Sequence, residues 1–317
     1  MSLRWGLLST ARINDAFLRG LAGSPSGEVV AVASRDLERG RAYAEAHGIP
    51  TAHEGYDALL ANPEVDAVYI SLPNGLHLEW TERALRAGKH VLCEKPLGRD
   101  PEAVAAAFDL AEREGLQLRE AFMYRHHPQT ARVAELVAEG AIGRLRTIRS
   151  AFTFLLTDPD DVRLSEALEG GALLDLGCYC VSASRLLAGE PGSVAGARVL
   201  GGRGVDVSFA GVMRFPDDVL AAFDASFAAT GRSWLEVAGE TGVLHVADPW
   251  HVRMPGIVLR DATGERRIDV PAANSYRLEA DDLAVLVESG GRGGGGLGRE
   301  DAIGQARALG MLHRAAL

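Results

Sequence analysis

The sequence predicts an α/β protein of two domains. Residues 1–122 should form an N-terminal parallel sheet, and residues 123–317 an α+β domain on an open, mainly antiparallel sheet. Three observations predict this. Residues 1–122 alternate short apolar runs with amphipathic stretches at the spacing of βαβ units. After Pro128 the apolar runs crowd together with tight turns between them, as antiparallel strands do. A chain of 317 residues is also long enough for about two domains.

In order along the first half, buried strands are expected at 5–8, 29–33, 65–72, 90–93 and 116–122, with helices at 12–22, 37–47, 76–87 and 102–114. Gly48, Gly88 and Gly115 stand where helices should stop. Pro101 follows Asp100, a good N-cap. In the second half a helix at 130–139 leads into a long strand at 144–156 and a Gly-flanked helix at 170–187. Strand runs follow at 194–200, 205–214, 219–227, 235–237 and 243–246, with helices at 275–288 and 299–313. The glycine tract at 290–298 reads as a flexible link. It does not suit a phosphate loop, because no strand feeds it and no Lys-Ser/Thr follows.

Composition narrows the function. Hydrophobic residues make up 47% and charged residues 24%, the balance of a globular protein with a real core. A net charge of −10 argues against nucleic acid as a partner. No run approaches 18 apolar residues, so no membrane span or membrane partner is expected. The first residues, Met1 to Trp5, lead at once into a strand pattern without the apolar region of a signal peptide. Three cysteines, Cys93, Cys178 and Cys180, suit free thiols in a reducing cytoplasm. Their spacing fits neither a dithiol redox motif nor a zinc site, so no metal is expected.

Arginine supplies all the basic residues except Lys89 and Lys95. Lys95 stands in Glu94-Lys95-Pro96, directly after Val91-Leu92-Cys93. An ammonium can be tuned and can give up a proton, whereas a guanidinium stays protonated. Lys95 is therefore a candidate for chemistry, unless it is a remnant of compositional bias. The first strand-to-helix turn, Gly6-Leu7-Leu8-Ser9-Thr10-Ala11-Arg12-Ile13, offers small residues and backbone amides where a dinucleotide pyrophosphate would sit. Its glycine fingerprint is incomplete, because Ser9 and Ala11 stand where two glycines are usual; a plain turn is the alternative. The second strand ends Ala33-Ser34-Arg35-Asp36. A carboxylate there holds the ribose hydroxyl of NAD, and an Arg accommodates the 2′-phosphate of NADP. Ser34 and Arg35 favour NADP over NAD, while Asp36 is either a helix N-cap or a ribose ligand.

Leu72-Pro73-Asn74-Gly75-Leu76-His77 closes a further strand, where the nicotinamide half of a cofactor would lie. Asn74 and His77 are contacts for it, or else a turn residue and a first-turn helix residue. In Gly170-Gly171-Ala172-Leu173-Leu174-Asp175-Leu176-Gly177-Cys178-Tyr179, Asp175 and Tyr179 are four apart and share a helix face. The leucines would anchor that helix. The alternative is an Asp that caps or pairs with an Arg, and a Tyr that packs.

Together and in this order, these elements resemble the glucose-fructose oxidoreductase / inositol dehydrogenase / rhizopine catabolism (Gfo/Idh/MocA) family over nearly the whole chain. The stretch Leu174-Asp175-Leu176-Gly177-Cys178-Tyr179-Cys180-Val181 is especially similar to the dimeric dihydrodiol dehydrogenase-like branch. The resemblance implies a Rossmann domain, a substrate domain and NAD(P)-dependent hydride transfer to or from a secondary alcohol or ketone of a sugar, polyol or diol. It implies Tyr179 as acid/base, Lys95 as its electrostatic helper and Asp175 as an orienting group. The implied cofactor residues are Ser9, Thr10, Ala11, Arg12, Ile13, Ser34, Arg35, Leu72, Pro73, Asn74, His77, Glu94 and Lys95. The implied substrate residues are Lys95, Tyr124, Arg125, Asp175 and Tyr179. His126 and His127 read as pocket lining or packing. A homo-oligomer, dimer or tetramer, is expected by the same resemblance. The rival from another class is a non-catalytic nucleotide-binding regulator on the same scaffold.

Overall fold

A computed structural model describes residues 2–291 and 296–316. Contacts gather the chain into two compact units: Met1–Met123 with Asn274–Ile303, and Tyr124–Ala273 with Gly304–Leu317. The single division expected at 122/123 thus has a second crossing, because the chain returns to the first unit at Asn274. The expected glycine-rich link falls partly at 292–295, outside the described residues.

The first unit holds a six-stranded parallel sheet: β1 (Leu3–Leu8), β2 (Gly27–Ser34), β3 (Thr51–Glu54), β4 (Ala67–Ile70), β5 (His90–Glu94) and β6 (Leu118–Ala121). Their order is β3-β2-β1-β4-β5-β6. The strands are linked by α1 (Asn14–Leu21), α2 (Leu37–His47), α3 (Tyr56–Leu60), α4 (His77–Arg86) and α5 (Pro101–Glu114). Local chemistry sets the ends of these helices. Asp36 caps α2 by accepting the Arg39 amide at 3.0 Å, and Asp100 caps α5 by accepting that of Glu102 at 3.0 Å. Gly48 and Gly115 close the same two helices in the left-handed conformation. In the core Phe17 stacks on Tyr69 and meets Trp5 edge-to-face, among Leu3, Leu7 and Val32. A later helix, named α8 below (Ser275–Ser289), completes this core with Ala280, Leu283 and Ala284. Gly20 lets it approach α1, since a Cβ there would lie 2.8 Å from the Arg277 amide nitrogen.

The second unit holds an eight-stranded sheet: β7 (Leu145–Thr153), β8 (Ser193–Leu200), β9 (Asp206–Arg214), β10 (Leu220–Ser226), β11 (Arg232–Gly239), β12 (Gly242–Val246), β13 (Ile257–Asp261) and β14 (Gly264–Ile268). Their order is β14-β13-β12-β11-β7-β10-β9-β8. Every pair is antiparallel except β7 with β10. Alternation decides the faces: Phe209, Gly211 and Met213 are buried, while Ala210, Val212 and Arg214 between them are exposed.

Before β7 lies α6 (Pro128–Ala138), and after it α7 (Cys178–Ala188), entered through a π-helical turn at Leu173–Gly177. The stretch Glu166–Ala188 is long and apolar enough to cross a membrane by length and composition, which corrects the expectation that no such run exists. Most of that window is buried inside the protein, as a core helix is. The last helix, α9 (Arg299–Ala315), contains the boundary at which the chain passes back to the second unit.

Candidate active site

In the first unit the residues of interest lie at the carboxyl ends of β1, β2, β4 and β5, around the β1/β4 switch point where sheets of this type bind ligands. The turn after β1 keeps the shape of the glycine fingerprint without its second glycine. Ser9 holds φ at +146°, a region that favours glycine. Its hydroxyl lies 2.8 Å from Ser71 Oγ and 3.1 Å from the Ser71 carbonyl. The same hydroxyl accepts the Ala11 amide at 3.1 Å, and Asn14 Nδ2 donates to the Ser9 carbonyl at 2.8 Å. Thr10 and Ala11 are partly exposed, Arg12 is exposed, and Ile13 occupies the N-cap of α1.

At the end of β2, Asp36 caps α2, one of the two roles that the sequence offered for it. Ser34 Oγ accepts the Asp36 amide at 3.2 Å and Arg39 Nε at 3.3 Å. Arg35 and Arg39 are both exposed beside this buried serine. Arg39 was missed by sequence reasoning, although an Arg on the first turn of the helix after β2 is a usable signal.

At the end of β4, Asn74 opens a short 3-10 turn, Asn74–Leu76. His77 is 1% exposed. Its Nδ1 lies 2.8 Å from the Pro96 carbonyl and its Nε2 2.8 Å from the Leu72 carbonyl. One imidazole therefore ties the turn after β4, with Leu72 and Pro73, to the turn after β5, with Lys95 and Pro96. Lys95 is buried at 9% exposure, and its amide donates to Glu94 Oε2 at 3.3 Å. Glu94 also takes the hydroxyl of the buried Tyr69. Glu279 on α8 adds a third acid to this group, 1% exposed, with no hydrogen-bond partner for either carboxyl oxygen among the described residues. Burial first, and Glu94 second, push the Glu279 carboxyl well above the usual range. Burial also pushes the Tyr69 phenol up, with Glu94 and Glu279 adding to it.

In the second unit Asp175 lies in the π-helical turn and Tyr179 in the first turn of α7. Asp175 Oδ2 accepts Arg163 Nε at 2.8 Å. Arg163 was not foreseen by number, though pairing with an Arg was among the readings. Asp175, ahead of burial and Asp161, determines the electrostatics of that guanidinium and holds its pKa up. Tyr179 is 9% exposed and its ring packs among Tyr124 at 5.7 Å, Phe152 at 5.4 Å and Trp250 at 5.9 Å. Tyr124 is buried, and its hydroxyl lies 2.8 Å from Ser182 Oγ; Arg125 donates to the same Ser182 at 3.1 Å. Trp250 is fully buried and donates to the Ala151 carbonyl at 3.0 Å. Ser182 and Trp250 were both missed.

Residues 3–122 match the profile described as oxidoreductase family, NAD-binding Rossmann fold, and residues 130–245 match the GFO/IDH/MocA C-terminal domain. The chain belongs to the Gfo/Idh/MocA family. It is similar to a D-xylose 1-dehydrogenase (NADP(+)) of Haloferax volcanii, with 38% identity over 99% of this chain and 97% of that protein. It is 33% identical to a trans-1,2-dihydrobenzene-1,2-diol dehydrogenase of Xenopus laevis, over 86% of this chain and 82% of the other. Among solved structures it resembles KijD10, a 3-ketoreductase from Actinomadura kijaniata in complex with NADP and TDP-benzene. The TM-score there is 0.92 and the identity 33%, covering 100% of this chain and 98% of that one. The family member described here is a NAD(P)-dependent oxidoreductase acting on CH–OH or keto carbons.

Proposed function

We propose that this enzyme interconverts the alcohol and carbonyl forms of a sugar, polyol or diol, with NADP preferred to NAD. Tyr179 exchanges the proton of the reacting hydroxyl: it takes the proton in oxidation and returns it in reduction. Lys95 supplies a compact positive charge that favours the alkoxide form of that oxygen. Asp175, held by Arg163 at 2.8 Å, orients the substrate. Tyr124 and Arg125 brace α7 through Ser182. Bound at the first unit, the cofactor would supply or accept the hydride.

The residues present fit that cofactor. Ser9 holds a glycine-type backbone at the pyrophosphate turn. The end of β2 offers the hydroxyl of Ser34 with the guanidiniums of Arg35 and Arg39, a donor set suited to a 2′-phosphate. The observation that carries the reading is the joint retention of Lys95 and Tyr179. Solved forms of the Actinomadura ketoreductase include a Tyr-to-Phe and a Lys-to-Ala variant, at positions separated by the same number of residues as Lys95 and Tyr179. The alternative, a nucleotide-binding regulator, gives neither residue a task.

A homo-oligomer acting in the cytoplasm belongs to the same proposal. Val212 and Leu220 are 46% exposed on the outward face of the eight-stranded sheet, which suits burial against a second copy. The buried thiols Cys93, Cys178 and Cys180 form no disulfide among the described residues.

The test is steady-state turnover of D-xylose and a panel of aldoses, polyols and diols with NADP+ and NAD+, read by nicotinamide absorbance, for the wild type, Tyr179→Phe and Lys95→Ala. Tyr179→Phe should lower turnover by about 100-fold or more with cofactor affinity little changed. Lys95→Ala should impair both turnover and binding. Near-normal turnover in both variants would refute the assignment.

A further inference from the structure

Asp206, the first residue of β9, is a buried carboxylate that the chemistry above does not use; it is 6% exposed. It faces the start of the segment that carries Asp175 and Tyr179. Its Oδ2 accepts the Leu173 amide at 2.7 Å, at the first residue of the π-helical turn. Its Oδ1 occupies the space that a side chain at Gly171 would need, since a Cβ there would lie 2.3 Å away. Gly171 holds φ at +116°, and its amide donates to the Arg163 carbonyl at 2.9 Å. Gly170 is equally confined, because its Cβ would lie 2.2 Å from the same carbonyl oxygen. The glycine pair therefore serves two close approaches: one by the Asp206 carboxylate and one by the backbone of Arg163, the residue whose side chain grips Asp175.

We propose that Asp206 is a positioning residue for the reaction: its carboxylate caps the turn at Gly171–Leu173 and so fixes the register from which Asp175 and Tyr179 are presented. This rests on the hydride-transfer reading given above. A carboxylate at the first amides of a helical segment satisfies donors that the helix itself leaves open. The groups acting on Asp206 are the amides of Leu173, Ala172 and Asp206 itself, together with the guanidinium of Arg198 on β8. Burial outweighs them and pushes the carboxyl up to about 6. The ionised carboxylate is the better acceptor for the Leu173 amide, but because burial raises its folded-state titration above 3.8 to about 6, the closed turn gains stability as pH falls through that value and the carboxyl takes up its proton.

The test compares the wild type with Asp206→Asn, which keeps the shape and one acceptor oxygen while removing the charge. Hydrogen exchange of the peptides covering 171–180, corrected for intrinsic rates, is measured at pH 7.5 and 4.5, about 1.5 units either side of the Asp206 titration. Turnover of D-xylose with NADP+ is measured across the same range. In the wild type, protection of 171–180 should rise on acidification as Asp206 takes up its proton, while that of α5 holds. The Asn variant, which cannot titrate there, should show the same protection at both pH values. Its turnover should be about 10- to 100-fold lower, without the wild-type change through about pH 6, and with KM for NADP+ unchanged. Two proteins that share one pH profile, with equal protection of 171–180, would overturn the proposal and leave the hydride chemistry standing. A wild type inactive on every substrate, yet with pH-dependent protection that Asp206→Asn abolishes, would support the cap and refute the reading of function.

Discussion

Ser9→Ala should damage the nucleotide-binding unit more than Ser9→Gly, the reverse of the usual ranking of these two residues outside turns. The serine holds φ at +146°. Its hydroxyl makes three contacts, at 2.8 Å and 3.1 Å to Ser71 and at 3.1 Å to the Ala11 amide. An L residue in such a region carries about 1–3 kcal/mol of backbone strain, and each net hydrogen bond is worth roughly 0.5–1.5 kcal/mol. Alanine keeps the strain and loses the contacts that offset it, for a net loss of about 2 kcal/mol. Glycine loses the same contacts but sheds the strain, less about 0.5–1 kcal/mol for its freer unfolded chain. It should therefore remain within about 1 kcal/mol of the wild type. Urea unfolding followed by tryptophan fluorescence reads the difference, since Trp5 lies in the core of this unit. Titration with NADP+ should show the same order in affinity. An alanine variant at least as stable as the glycine variant would refute the claim that the hydroxyl holds a glycine-type turn in place.

Two further outcomes follow from buried groups. His77→Ala removes the ring whose two nitrogens lie 2.8 Å from the Leu72 and Pro96 carbonyls, and with it the one N–H that a neutral imidazole donates to either of them. A cost of about 1–3 kcal/mol for the carbonyl left without its donor should lower the melting temperature, raise KM for NADP+ and reduce kcat together. A wild-type melting temperature with unchanged KM would sink the view that this ring ties two turns. Glu279→Gln should stabilise the protein at neutral and alkaline pH and make little difference near pH 4. The folded-state carboxyl of Glu279 is raised above its ordinary value of 4.5 by burial and then by Glu94. Its contribution to stability is thus whole below that value and is lost as pH rises through the folded-state titration. Glutamine carries no such loss. Unfolding curves of both proteins at several pH values check this, and a gap independent of pH would contradict it.

The sequence showed those parts of the fold that rest on local chemistry. Asp100-Pro101, Gly48 and Gly115 mark helix ends through caps and backbone freedom, and they were legible because their partners lie within a few residues. The elements α3 and β3 escaped because five and four residues are too few to display a period. The strands β13 and β14 also escaped; the charged run Gly-Glu-Arg-Arg-Ile of β14 hides its alternation. The helix α8 was legible over 275–288, but nothing local says that it packs on α1 across Gly20. The same limit applies at the proposed active site. Lys95, Asp175 and Tyr179 stood out by residue type and spacing. Arg163, Ser182 and Trp250 act by contacts that no period announces.

Ser9 and Asp206 do comparable work in different units. Each places a side-chain oxygen on a backbone amide at the mouth of a helical segment: Ala11 ahead of α1, and Leu173 at the π-helical turn before α7. Each is tied to an unusual backbone, its own in Ser9 and that of Gly171 beside Asp206. The difference lies in charge. A hydroxyl does not titrate near neutrality, so the turn after β1 should hold across pH, whereas the cap on Leu173 depends on a carboxylate pushed up to about 6. The Asp175–Tyr179 segment should therefore respond to pH through about 6 while the turn after β1 does not. The sensitive kinetic quantity is then kcat, and affinity for NADP+ should hold across the same range.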